Sequence, residues 1–275
     1  MYSDHHVHTA FSSDSKAPME QMVRQAVALG LREIVFTDHV DFDYGGEEPT
    51  PPGMFLVDYP AYRAEVLRLR EAYGSRIRIN LGVELGLQGH LKERITRLVQ
   101  ENEYDFIIGS THCIQNVDLY YPTFYRGKPK AEAYAAYFED LLNNVKTFDE
   151  FCVYGHMDYV DRYAPYADKS LEYRDYADLI DEILRVLVQK GKGLEINTSG
   201  YKYGLHRAHP QLAILRRFRE LGGEIVTLGS DAHDPGRITD HFTDALALLS
   251  AAGFRYTAVF HGQKPEFISL ERFKK

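Results

Sequence analysis

One pattern recurs along the chain and limits the folds open to it: an amphipathic helix, a glycine, a short apolar strand and then a polar residue. The first clear copy comprises residues 23–29, Gly30 and residues 34–36, and it leads into Thr37-Asp38-His39. The glycine suits the left-handed backbone position at which helices commonly end. A short apolar strand is typical of a parallel sheet that is buried on both faces. The pattern therefore predicts α/β architecture with right-handed crossovers.

The same rhythm extends over the whole length of 275 residues. The predicted strands are residues 2–8, 34–36, 77–84, 106–112, 151–156, 193–197, 225–228 and 256–260. Seven or eight strand–helix units of this size fit a TIM-like barrel with its active site at the C-terminal ends of the strands. A doubly wound open sheet is the alternative fold. No linker-like stretch is visible, so we expect a single domain over residues 1–275.

Two long inserts interrupt the rhythm, at residues 41–57 and 116–130. Loops of this length often act as lids over an active site.

Composition narrows the class of protein. Hydrophobic residues make up 44% of the chain and charged residues 26%, which is ordinary for a globular protein. Cys113 and Cys152 are too few for a disulfide framework, and no apolar run approaches the length of a membrane span. The net charge of −8 weighs against nucleic acid as the main partner. We therefore expect a cytoplasmic protein without membrane or nucleic-acid partners, and the oligomeric state stays open.

Residues that commonly bind metals stand at the ends of the predicted strands. Because residues two apart share a face of a strand, His6 and His8 can chelate one ion, with Asp4 supporting them and His5 packing outside the barrel. The further candidates are Asp14, His39, Glu84, His112, His156, Asp231 and His233. Since the strand ends of a (β/α) barrel converge at one mouth, these side chains predict a metal site. Nitrogen and oxygen donors without thiolate suit Zn, Mn or Fe.

The ligand-bearing motifs resemble those of the PHP (polymerase and histidinol phosphatase) family. They are Asp4-x-His6-x-His8-Thr9 with Asp14, Thr37-Asp38-His39, Gly82-Val83-Glu84, Ser110-Thr111-His112, Gly155-His156-Met157-Asp158 and Gly229-Ser230-Asp231-Ala232-His233. The resemblance covers nearly the whole chain and implies a distorted TIM-like (β/α)7 barrel with three divalent metal ions. The implied ligands are His6, His8, Glu84 and Asp231 for the first ion, Glu84, His112 and His156 for the second, and Asp14, His39 and His233 for the third.

Clustered divalent ions favour hydrolysis of a phosphate ester, because they acidify a bound water and hold phosphoryl oxygens. The chain has neither a nucleophile elbow nor a phosphate-binding P-loop. We therefore expect a hydroxide that bridges two metals to attack phosphorus, without a covalent intermediate. The general acid is left open between Asp231 and His233. Arg162 and Arg207, which fall on loops at the mouth, are expected to bind the phosphate.

The stretches around both arginines, and residues 194–200, resemble the histidinol-phosphate phosphatase branch of the family. This implies a phosphoric monoester hydrolase acting on L-histidinol phosphate, in histidine biosynthesis. Asp43, Asp118 and Asp161 are candidates to bind its amine or imidazole, without a ranking among them. Two alternatives stay open. One is another PHP phosphoesterase, acting on phosphotyrosine or on nucleic acid as a phosphodiesterase or exonuclease, and the other is a non-catalytic metal-binding module.

Overall fold

Strands and helices alternate through the computed structural model, which describes residues 2–46, 50–51 and 53–273. The first half contains β1 (Ser3–Val7), α1 (Met19–Ala28), β2 (Glu33–Phe36), β3 (His39–Val40), α2 (Tyr59–Tyr73), β4 (Arg78–Gly86), α3 (Lys92–Glu101), β5 (Phe106–Ser110), β6 (Cys113–Ile114) and β7 (Val117–Asp118). The second half contains α4 (Lys130–Thr147), β8 (Val153–Tyr154), α5 (Ala177–Gln189), β9 (Gly193–Asn197), α6 (Ser199–Lys202), α7 (Leu212–Glu220), β10 (Val226–Gly229), α8 (Phe242–Ala251), β11 (Tyr256–His261) and β12 (Lys264–Ser269).

Seven of the strands form a nearly closed parallel barrel. They pair in the order β1-β2-β4-β5-β8-β9-β10, and the short β3 adds to β4. The first and last strands of this order, β1 and β10, are joined just beyond their ends. The Asp231 N–H donates to the His6 carbonyl and the His8 N–H donates to the Ala232 carbonyl, both at 2.9 Å. The predicted TIM-like (β/α)7 barrel is confirmed, and the open doubly wound sheet is wrong.

The helices cover the barrel with the apolar stripes that the sequence predicts. Helix α2 begins after Asp58, whose carboxylate accepts the Ala61 N–H at 3.2 Å. Its residues Tyr62, Val66 and Leu69 are fully buried at helical spacing. Among the helices of the described part of the chain, none combines the length and hydropathy of a membrane span.

The last predicted strand does not join the barrel. β11 pairs antiparallel with β12, in a hairpin that packs against the N-terminal end of the barrel. The Phe260 carbonyl accepts from Asn80 Nδ2 at 3.4 Å, and the Phe260 N–H donates to His5 Nε2 at 3.3 Å. The local pattern of helix, glycine and apolar run predicts a strand here correctly, but it carries no information about the partner of that strand.

A bulge in β1 changes which side chains point inward. Asp4 and Val7 are three residues apart, yet they pair with residues only two apart on β2. His5 consequently lies inside the barrel, with its ring 5.1 Å from that of Phe106 on β5. The prediction that His5 packs outside the barrel is wrong, because it assumed strict alternation along β1.

Candidate metal-binding active site

A cavity of about 330 Å³ opens at the C-terminal ends of the barrel strands. Seven of the nine predicted metal ligands line it, namely Asp14, His39, Glu84, His112, His156, Asp231 and His233. The other two, His6 and His8, lie beneath this surface and are fully buried. The two long inserts supply much of the remaining wall, through Tyr44, Met54, Phe55, Asp118, Tyr120 and Tyr121. Residues 47–49 and 52 of the first insert lie outside the described residues.

The innermost group of donors surrounds His6. Its Nε2 atom lies 3.0 Å from Nε2 of His8 and 3.1 Å from Oε2 of Glu84. Nε2 of His8 lies 3.5 Å from Oδ1 of Asp231. Two donors that share one tetrahedral ion at bonds near 2 Å are separated by about 3.3 Å. These four side chains therefore fit a single metal ion.

The second group shares Glu84 with the first. Oε1 of Glu84 lies 3.2 Å from Nε2 of His112 and 3.0 Å from Nε2 of His156. The two Nε2 atoms are 3.4 Å apart. Because the two carboxylate oxygens of Glu84 face different histidines, this side chain is placed to bridge two ions.

The third group lies at the rim of the cavity. Oδ2 of Asp14 is 2.9 Å from Nε2 of His233 and 3.7 Å from Nε2 of His39. Donor atoms of His8, His39 and His233 also lie within 4.8 Å of one another, so this group adjoins the first. The structure thus brings all nine predicted ligands together, and their division among three ions stays a prediction.

Buried charges of opposite sign dominate the electrostatics of this cluster. Burial alone would raise the pKa of Glu84, but the imidazoles of His6, His112 and His39 hold it well below its usual range. Burial alone would lower the pKa of His112, but the carboxylates of Asp41 and Glu84 raise it to about 10. Protons on His6, His39 and His112, whose pKa values are raised, therefore compensate the carboxylates in the metal-free protein. Divalent ions would replace these protons on binding.

Two further carboxylates orient the ligands from behind, and sequence reasoning did not assign them this role. Oε1 of Glu195 lies 2.6 Å from Nδ1 of His6, and Oδ1 of Asp41 lies 2.7 Å from Nδ1 of His112. A carboxylate only accepts hydrogen bonds, so each Nδ1 carries the proton and each Nε2 lone pair faces the cluster. Gly229 and Gly86 leave the space for them, since a Cβ there would collide with Glu195 or Asp41.

Asp4 supports His6 through the backbone and does not orient its imidazole ring. Its carboxylate accepts from the Ser230 N–H at 3.0 Å, the Ser230 hydroxyl at 2.6 Å and the His6 backbone N–H at 3.3 Å. It forms no hydrogen bond with an imidazole ring among the described residues. Asp4 therefore ties β1 to the end of β10.

The sequence does contain an indication of the role of Glu195, because an acidic residue stands at the centre of the buried strand β9. The side-chain amide of Asn197, two residues later, donates to this carboxylate at 3.2 Å.

Arg162 is the predicted phosphate ligand that reaches the cavity. Its guanidinium lies between the rings of Tyr159 and Tyr203, 4.5 Å from each centroid. One terminal nitrogen lies 3.6 Å from Oδ2 of Asp231, and the same nitrogen donates to the Ser199 hydroxyl. The buried Nε–H has no hydrogen-bond partner among the described residues. Arg162 thus keeps a donor beside the metal-ligand cluster.

Arg207 lies elsewhere, and a direct phosphate contact does not follow from its position. Its guanidinium donates to Asp158 at 2.8 Å and to Asp161. It is not part of the cavity lining. Two buried carboxylates bind the guanidinium of Arg207 and compete with phosphate for it. The sequence does not show that these carboxylates lie nearby.

The three aspartates predicted to bind the amine or imidazole of the substrate lie in different environments. Asp43 is exposed and contacts His90 at 3.1 Å, and Asp161 is bound by Arg207. Of the three, Asp118 alone lines the cavity in the described part of the chain.

Comparison with known proteins agrees with this arrangement. The family model of the PHP domain matches residues 4–199. The histidinol-phosphatase of Lactococcus lactis subsp. lactis is 37% identical over 264 residues, which are 95% of this chain and 95% of the relative. The probable histidinol-phosphatase of Clostridium acetobutylicum is 33% identical over 248 residues, with 90% and 92% covered.

A solved structure extends the similarity to the fold. The crystal structure of histidinol phosphate phosphatase from Lactococcus lactis, complexed with zinc, L-histidinol and phosphate, has a TM-score of 0.87 at 34% identity. The match covers 96% of this chain and 98% of that chain. Sequence and fold therefore agree almost from end to end, and this chain belongs to the PHP domain family.

Proposed function

We propose that the protein is a metal-dependent phosphomonoester hydrolase that acts on L-histidinol phosphate, a histidinol-phosphatase of histidine biosynthesis. The observation that carries the proposal is one cavity lined by seven of the nine predicted ligands and by the buried guanidinium of Arg162, with His6 and His8 directly beneath. The relatives named histidinol-phosphatase match this chain over almost its full length, which supports the substrate. A cavity of about 330 Å³ suits a small molecule.

The donor set supports three divalent ions. The proposed ligands are His6, His8, Glu84 and Asp231 for the first, Glu84, His112 and His156 for the second, and Asp14, His39 and His233 for the third. Imidazole and carboxylate donors suit zinc, which the Lactococcus lactis relative contains, and also manganese or iron. When bound, such ions lower the pKa of a water molecule and polarise phosphoryl oxygens.

The side chains around the cluster bind and orient the phosphate in this proposal. Arg162 donates to phosphate oxygens, because its guanidinium is fixed between two tyrosine rings and keeps an unpartnered N–H. The leaving alkoxide needs a proton, and Asp231 and His233 both line the cavity, with Oδ1 of Asp231 3.6 Å from Nδ1 of His233. Either side chain can hold that proton. Glu195 and Asp41 keep the imidazoles of His6 and His112 in the tautomer that presents Nε2 to the cluster.

The test combines elemental analysis with phosphate release. The panel contains L-histidinol phosphate, phosphotyrosine, a nucleoside monophosphate and a single-stranded oligonucleotide. We expect kcat/KM for L-histidinol phosphate to exceed that for every other compound by more than about tenfold. A smaller preference would contradict the substrate, and fewer than two bound ions per chain after reloading would contradict the metal centre.

A further inference from the structure

Asp118 is a buried carboxylate in the cavity wall whose hydrogen-bond partners are neutral. It is 7% exposed, and it lies at the end of β7. Its partners are neutral: the Tyr120 N–H donates to Oδ1 at 2.6 Å, and the Tyr44 hydroxyl lies beside it. Within residues 2–46, 50–51 and 53–273, it forms no ion pair with a lysine or arginine. Burial therefore costs Asp118 desolvation free energy, which its two neutral hydrogen bonds and the charge of His112 do not fully offset.

Charged groups compensate the other acids that line the cavity, and also the neighbouring Asp158 and Asp161. Asp158 and Asp161 share the guanidinium of Arg207, and the acids of the ligand cluster face histidines. Burial raises the pKa of Asp118, and the hydrogen bonds from Tyr120 and Tyr44 and the charge of His112 lower it by less. A buried polar group of this kind in a cavity wall calls for a ligand that completes it.

Aromatic rings line the same cavity as this carboxylate. The rings of Tyr44 and Phe55 are 4.6 Å apart, and that of Tyr120 contacts both Tyr121 and Tyr163 at 5.3 and 5.2 Å. Aromatic faces attract cations and also pack against planar rings. The wall around Asp118 thus has the chemistry of a site for an organic cation that carries a flat ring.

The position of Asp118 is fixed relative to the metal-ligand cluster. Asp118 pairs with Cys113 in the β6–β7 hairpin, and the following Leu119 N–H donates to the His112 carbonyl at 3.1 Å. The cavity wall therefore holds donors for an anion, at Arg162, and an acceptor for a cation, at Asp118, which this hairpin joins to His112.

We infer that Asp118 is a specificity residue, which accepts a hydrogen bond from the cationic, non-phosphate end of the substrate. The inference rests on the proposed function and deepens it, because the ammonium and imidazole of L-histidinol phosphate supply this chemistry. Asp118 selects the substrate and takes no part in the transfer of the phosphoryl group.

The test replaces the charge and keeps the shape. In Asp118→Asn, the amide oxygen can still accept the Tyr120 N–H, so the loop keeps its hydrogen bond. We expect kcat/KM for L-histidinol phosphate to fall by about 20-fold or more, mainly through KM, because a charge-assisted hydrogen bond is lost. For phenyl phosphate, which has no cation, the change should stay within about threefold. The control is Asp244→Asn, an exposed aspartate outside the cavity, for which kcat/KM of both substrates should stay within about twofold.

Two analogues identify the group that Asp118 contacts. One lacks the amine and the other lacks the imidazole, and the effect of Asp118→Asn should disappear with the analogue that lacks the contacted group. An equal loss for L-histidinol phosphate and phenyl phosphate would overturn the inference, and so would no loss for either.

Binding of L-histidinol, followed by calorimetry on the metal-loaded protein, separates this inference from the proposed function. We expect Kd to rise by about 20-fold or more in Asp118→Asn. If the protein does not prefer L-histidinol phosphate but shows this rise in Kd, the proposed function fails and the inference stands. If the protein prefers L-histidinol phosphate but Asp118→Asn binds L-histidinol as tightly as the unaltered protein, the inference fails and the function stands.

Discussion

Replacement of Glu195 by glutamine should weaken metal binding without unfolding the barrel. Glu195 is fully buried, and its two oxygens have different partners. Oε1 accepts from Nδ1 of His6 at 2.6 Å, and Oε2 accepts the His156 N–H at 3.1 Å and the Asn197 amide at 3.2 Å. Glutamine has the same shape, but one of its two ends donates.

Either orientation of the new amide is unfavourable. If the amide oxygen faces His6, the amide nitrogen meets the donors of His156 and Asn197. If the amide is reversed, its nitrogen donates to Nδ1 of His6, so that the proton moves to Nε2 and blocks the metal-binding atom. The weaker neutral hydrogen bond and one unsatisfied donor together cost about 2 kcal/mol. That corresponds to a loss of metal affinity of about 10- to 100-fold.

Competition with a chelator of known affinity measures this loss. The matched control is Glu150→Gln, which removes an ion pair with Lys92 at 2.7 Å outside the cavity. Glu150→Gln should change the free energy of unfolding but leave the metal affinity within about threefold. A metal affinity within threefold of the unaltered protein in Glu195→Gln would refute the orienting role of Glu195.

Four further outcomes follow from the same geometry. Arg162→Ala should reduce kcat/KM by more than about tenfold at unchanged metal content, and a change within twofold would show that the phosphate lies elsewhere. Glu84→Ala should remove at least one ion, by elemental analysis, and most of kcat, because both groups share this carboxylate; full metal content would contradict the bridge. Metal loading at pH 7 should release protons, because the pKa of His112 is raised to about 10 in the metal-free protein. Calorimetry in two buffers of different ionisation enthalpy measures the number of protons released, and a value of zero would contradict this prediction. Gly86→Ala should lower metal affinity by displacing Asp41, and an unchanged affinity would separate Asp41 from the metal centre.

The sequence predicts those features of the fold and the site that residues close together in the chain determine. The helix, glycine and strand pattern predicts the barrel, because each unit is set by residues close in the chain. The ligands were found for the same reason, since each follows a strand and parallel strand ends converge. The barrel topology alone brings Asp14, His39 and His233 together, because His39 and His233 are far apart in the sequence.

Features that depend on register or on the path of a loop were not accessible. The bulge that turns His5 inward exists only in the pairing of β1 with β2. Asp41 and His112 are 71 residues apart, and Glu195 and His6 are 189 apart. No local pattern indicates that Arg207, 49 residues from Asp158, is held by buried carboxylates and kept from the cavity.

The most direct measurement follows phosphate release from L-histidinol phosphate while metal is removed and restored. The proposal predicts that a chelator abolishes the activity, and that activity returns in proportion to bound divalent ions, with at least two per chain at full activity. Phosphate release that persists in protein shown by elemental analysis to be metal-free would contradict the metal-dependent hydrolysis on which the proposed function depends.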